Sequence, residues 1–131
     1  MLRFDYMPSD FHPIFLFLGN EDDLTALAHF LRKYAQGADE LSVAEGIPGS
    51  KSRTAVTLVA ADDEFGMRKV ADGFNWKLNA WQAEQIAGRI DLLTAKDNKS
   101  GSDLFEVGSE GEIPVKVSRG EFTDDFLVTK L

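Results

Sequence analysis

Leu2, Phe4 and Tyr6 alternate with Arg3 and Asp5, the period-2 pattern of a strand with one buried face. The next run, Ile14–Leu18, is apolar throughout and stops at Gly19-Asn20, which predicts a strand buried on both faces and ending in a turn. Pro8 and Pro13 bound the connection between the two. The period then changes to that of a helix, with Leu24, Leu27, Ala28, Leu31, Tyr34 and Ala35 on one stripe. Asn20 is placed to cap it, Glu21-Asp22-Asp23 complement the positive end of its dipole, Arg32 and Lys33 sit near the other end, and Gly37 can close it.

After a short strand at 40–44, Thr54–Ala60 reads as a central β-branched strand. Asp62-Asp63 offers a turn into Glu64–Val70, and Asp72-Gly73 a type I′ turn into Phe74–Leu78, where Phe74, Trp76 and Leu78 point one way; the spacing describes a three-strand meander. A second helix starts at Asn79, with Gln82 three positions on as its capping-box partner, and buries Ala83, Ile86, Ala87, Ile90 and Leu93. Ala95–Asp103 is small and polar and reads as a loop, followed by strands at Leu104–Val107, Ile113–Ser118 and Asp124–Lys130. No internal repeat is visible in the sequence. Consecutive strands outnumber helices, which predicts an α+β fold: a largely antiparallel sheet of about six to eight strands with two main helices packed on one face, in one globular domain spanning 1–131.

Composition narrows the chemistry. With no cysteine, thiolate zinc sites, disulfides and a cysteine nucleophile are all excluded, and a reducing, cytoplasmic setting is expected. A net charge of −8 repels phosphate backbones and anionic lipid, so neither nucleic acid nor membrane is an expected partner. No run approaches a membrane span, and Met1-Leu-Arg-Phe-Asp-Tyr lacks the basic and apolar regions of a leader.

Candidate catalytic features are weak. Gly46-Ile-Pro-Gly49-Ser-Lys51 resembles a phosphate loop, but a serine separates glycine from lysine and a strand follows, so a flexible loop is the expectation. His29 falls opposite the apolar stripe of its helix and should face solvent; His12 has Asp10 nearby but no second imidazole. Asp124 and Asp125, adjacent on a strand, would point to opposite faces, and the acidic cluster at 62–64 reads as turn chemistry. No metal and no cofactor is expected.

Two surfaces stand out instead. On the second helix Trp81, Gln85, Gly88 and Leu92 recur at i, i+4, i+7 and i+11, opposite Ile86 and Ile90, where folding needs no second stripe. A turn at Ser118-Arg119-Gly120-Glu121 would present Arg119 to a partner carboxylate or phosphate. Trp81, Gln85, Leu92 and Arg119 are therefore the expected partner-binding residues. The sequence suits a non-enzymatic acidic protein-binding domain of the small bacterial cytosolic type, with a basic protein or a second copy as partner; its size and charge are those of an inhibitor or immunity-type protein. The alternative is a small-molecule pocket or enzyme site between sheet and helices, lined by Tyr6, Trp76, Arg68 and a carboxylate.

Overall fold

A computed structural model of the chain describes residues 1–8, 13–37, 40–61, 64–95, 101–106 and 108–119. The expected strand at 124–130, together with His12 and the carboxylates at 62, 63, 124 and 125, lies outside the described residues.

The order of elements is β1 (Arg3–Met7), β2 (Ile14–Gly19), α1 (Glu21–Ala35), β3 (Glu40–Ser42), α2 (Val43–Gly46), β4 (Val56–Ala60), β5 (Gly66–Val70), β6 (Gly73–Leu78), α3 (Ala80–Leu93), β7 (Gly101–Phe105) and β8 (Val115–Arg119). The fold is α+β, with eight mostly antiparallel strands and two long helices packed on each other. The strands form two sheets of four, ordered β1-β2-β8-β7 and β3-β4-β6-β5. Within each sheet two antiparallel hairpins meet along a parallel seam, β2 with β8 and β4 with β6.

The meander expected over 54–78 is corrected by this topology. β5 and β6 form a hairpin, but β4 lies parallel to β6 on its other side, so β4 and β5 are not neighbours. The turn between β5 and β6 also differs from the type I′ expectation. Val70 pairs with Gly73, which leaves Ala71 and Asp72 at the tip, and among the described residues only glycines have positive φ. Gly73 itself is required, because its φ is +151° and a Cβ there would stand 2.5 Å from the Ala55 carbonyl oxygen that accepts from Phe74 N–H. Gly101, Ser102 and Asp103, expected in a loop, open β7 instead.

The chain is built as a repeat whose halves exchange hairpins. Hairpin, helix, hairpin describes β1-β2-α1-β3-β4 and again β5-β6-α3-β7-β8, and each sheet takes the first hairpin of one half and the second of the other. A constant spacing of 59 residues separates β2 from β6, Asn20 from Asn79, Arg32 from Asp91 and β4 from β8. Both helices carry full capping boxes, Asn20 with Asp23 and Asn79 with Gln82.

Equivalent residues touch one another, as a pseudo-twofold axis between the halves requires. Phe15 packs edge-on against Phe74 with ring centroids 5.0 Å apart, Phe17 stacks on Trp76 at 5.5 Å, and Arg32 Nη2 meets Asp91 Oδ2 at 2.5 Å. That hydrogen bond raises the Arg32 guanidinium above its ordinary pKa. The rings lie in a core that draws Leu24, Leu27 and Leu31 from α1, Ala83, Ile86 and Ile90 from α3, and inward residues of both sheets. The outer edges of β1 and β5 are each covered by a crossing segment: Lys51 bonds the main chain of Leu2 and Phe4, and Ile113 N–H donates to Met67. The glycine-rich segment before Lys51 is therefore packing structure, with Ile47 buried, rather than an open phosphate loop.

Candidate functional site

α3 begins where Asn79 accepts from Gln82 N–H at 2.7 Å and the Gln82 side chain returns the bond to Asn79 N–H at 2.9 Å. Ala83, Ile86, Ala87 and Ile90 then bury one face, and this fixes what the opposite face presents. Trp81 is 69% exposed, Leu92 67% exposed, and Gln85 between them is exposed too. With Leu104 on β7, Trp81 and Leu92 are among the few large apolar side chains of the described residues left in water. Leaving the Trp81 ring unburied forgoes about 2 kcal/mol of transfer free energy.

β7 brings a second wall to this face. Between it and α3 lies a concavity of about 360 Å³, lined by Trp81, Gln82, Gln85, Ile86, Arg89, Phe105 and Glu106. Ile86 and Phe105 are its buried apolar floor. The Arg89 guanidinium lies 4.6 Å over the Phe105 ring, donates from Nε to Asp103 Oδ2 at 2.8 Å and from Nη2 to Asp103 Oδ1, and reaches the Leu104 carbonyl at 3.2 Å. Leu104 N–H donates to Asp103 Oδ1 at 2.8 Å. Both main-chain polar groups of Leu104, on the outermost strand of its sheet, are thus engaged, and an added strand finds them taken.

Arg119 has a different place from the one expected. It ends β8 rather than standing on an open turn, its side chain is 13% exposed, and Nη1 donates to the carbonyls of Leu93 at 2.7 Å and Ala95 at 3.3 Å. Nη2 lies 3.5 Å from Glu21. A guanidinium at the C-terminal end of α3 satisfies carbonyls that the helix leaves unpaired and opposes the negative end of its dipole. The structure brings Trp81, Gln85 and Leu92 onto one face and sets Arg119 to tie β8 to both long helices.

The residues of the alternative pocket do not converge. Trp76 is fully buried against Phe17, and Tyr6 packs on Phe74. Arg68 is 13% exposed and spends its donors on Phe65 O, Ser109 Oγ, Glu110 O and Glu64. A second concavity of about 410 Å³ lies at one end of the β3–β6 sheet beside Ser52, Arg53, Lys69 and Asp72. Its Arg53 is already held 2.9 Å from Asp5. His29 is exposed on α1, and among the described residues no three metal-ligating side chains gather. Among the same residues no helix is long and apolar enough to cross a membrane.

Sequence reasoning found the α3 face and missed the groove beside it. Trp81 and Leu92 announce themselves by helical spacing, whereas Phe105 and Glu106 arrive through strand topology, which no local pattern encodes. Comparison with protein-family models, with curated proteins and with solved structures finds no match.

Proposed function

We propose that this protein acts without bond chemistry, by binding a basic protein through the outer face of α3 and the adjoining end of β7, as an inhibitor or immunity-type protein does. One observation carries the reading: Trp81 and Leu92 stand about two-thirds exposed on a single helix face that the core does not use. Exposed aromatics backed by a rigid element are the usual centres of protein interfaces. Charge selects the partner class. The chain carries −8, and around the stripe Glu84, Asp91, Asp103 and Glu106 outnumber Arg32 and Arg89. A cationic protein is drawn to such a surface, and an acidic one is repelled.

The test compares the native chain with the Trp81→Ser/Leu92→Ser double variant as baits in cell lysate at low and high salt. The expected result is a stoichiometric basic protein on the native bait, weakened by salt and lost from the variant, with both baits equally folded by circular dichroism. Identical captures by the two baits, or a captured partner that is acidic, would overturn the reading.

A further inference from the structure

The repeat supplies a template for what the α3–β7 groove holds. Under the 59-residue correspondence of the helices, Arg89 is the counterpart of Phe30, and strand register makes Phe105 the counterpart of Val43. In the first half this place is filled from within the chain. Val43 opens α2, and the Phe30 ring, 4% exposed, packs so closely on Gly46 that a Cβ there would lie 2.5 Å from Cε1. In the second half no helix follows Phe105 among the described residues, and a charged side chain replaces the ring. A site that one half closes with a phenylalanine is left as a groove in the other.

The groove's charge is also specific. Arg89 is neutralised by its bidentate contact with Asp103, which leaves the exposed Glu106 carboxylate and the face of Trp81 as the features a visiting charge would meet. Both favour a cation, the carboxylate by charge and the indole by its π face. An anionic ligand would have to displace Asp103 from Arg89, and an added β-strand would have to displace both from Leu104.

We infer that the α3–β7 groove takes a large apolar side chain, laid on Ile86 beside the Arg89-covered Phe105 ring, from a segment of a basic protein whose neighbouring lysine or arginine meets Glu106 and Trp81. The inference rests on the protein-binding reading above and names the chemistry of the contact.

The chain carries its own reporter, because Trp76 is buried and Trp81 lines the groove. Tryptophan emission is followed while the full chain is titrated with three capped tripeptides, Lys-Phe-Lys, Glu-Phe-Glu and Lys-Ala-Lys. Only Lys-Phe-Lys should shift the emission to shorter wavelength and saturate. Glu106→Gln should weaken that binding two- to fivefold, the range of a solvent-exposed ion pair. Saturation by Glu-Phe-Glu or Lys-Ala-Lys at the same concentrations, no shift with any peptide, or indifference to Glu106→Gln would overturn the inference. The two readings fail separately. A basic partner lost with Trp81 and Leu92 while Lys-Phe-Lys does nothing sinks the anchor alone; saturable Lys-Phe-Lys binding beside captures insensitive to the double variant sinks the partner role and leaves the groove chemistry standing.

Discussion

The two halves of this chain solve the same packing problem with different outer surfaces. At equivalent core positions they agree in kind: Phe15 with Phe74, Phe17 with Trp76, Leu27 with Ile86, Ala28 with Ala87 and Leu31 with Ile90, all buried. On the outer face of the helices they part. Where α3 carries Trp81, Gln85, Gly88 and Leu92, α1 carries Asp22, His29 and Lys33, all exposed, and Ala26, half-buried against the core, at the corresponding turns. A helix in the same architectural role thus folds with charged residues at the positions where the other exposes a tryptophan and a leucine. That contrast, more than the exposure of Trp81 and Leu92, is what supports the contact proposed for this face.

The largest expected effects probe the shared part of the comparison. Phe17→Ala and Trp76→Ala should each cost about 3–5 kcal/mol in chemical denaturation. Because the two rings stack across the pseudo-twofold axis, the double variant should cost less than the sum of the singles. Strict additivity would mean that the halves are independently stabilised. The next pair probes the divergent part at one equivalent position. Phe30→Ala empties a buried site against α2 and should cost about 3 kcal/mol, whereas Arg89→Ala removes a half-exposed ion pair and ring contact and should cost about 1 kcal/mol or less. Equal losses would remove the distinction between a filled site and an open groove.

That difference in what each residue contacts also explains what was legible in the sequence. Helix positions, both caps and most strands follow from local periodicity, because the residues concerned interact within a turn or across one face. The exchange of hairpins does not, since it is decided by strand pairing between distant segments, and the halves share few identities, with Phe15 and Phe74, Asn20 and Asn79, Ala28 and Ala87, and Val56 and Val115 among them, spread over residues alike only in apolar character. Unequal connections hide the repeat further, with residues 8–13 joining β1 to β2 where Ala71 and Asp72 suffice between β5 and β6. Arg119 was misleading for the same reason. Its glycine neighbour suggests a turn, while its partners are carbonyls 24 and 26 residues away.

Smaller effects test whether the helices are equivalent where they should be. Asn20 and Asn79 accept from the third residue of their helices at 3.0 and 2.7 Å in matching capping boxes. Asn20→Ala and Asn79→Ala should each lose about 1 kcal/mol of stability. A markedly larger loss at Asn20 would trace to Asp23, which also binds the chain's amino group at 2.8 Å and is freed to move when its cap partner is removed.

The smallest expected change in stability is the most informative one. Giving α3 the outer face of α1, by Trp81→Asp, Gln85→Ala and Leu92→Lys together, should leave the unfolding free energy within about 0.5 kcal/mol of the native chain. The three residues lie on the solvent side, so little buried area is lost. The new charges also suit the dipole, a carboxylate entering the first turn and an ammonium the last. If the face serves contact alone, thermal and denaturant midpoints stay where they were while association with a basic partner disappears. A loss of several kcal/mol would mean that Trp81 and Leu92 hold the fold together in solution, and the contrast between the two helices would then be one of packing rather than of purpose.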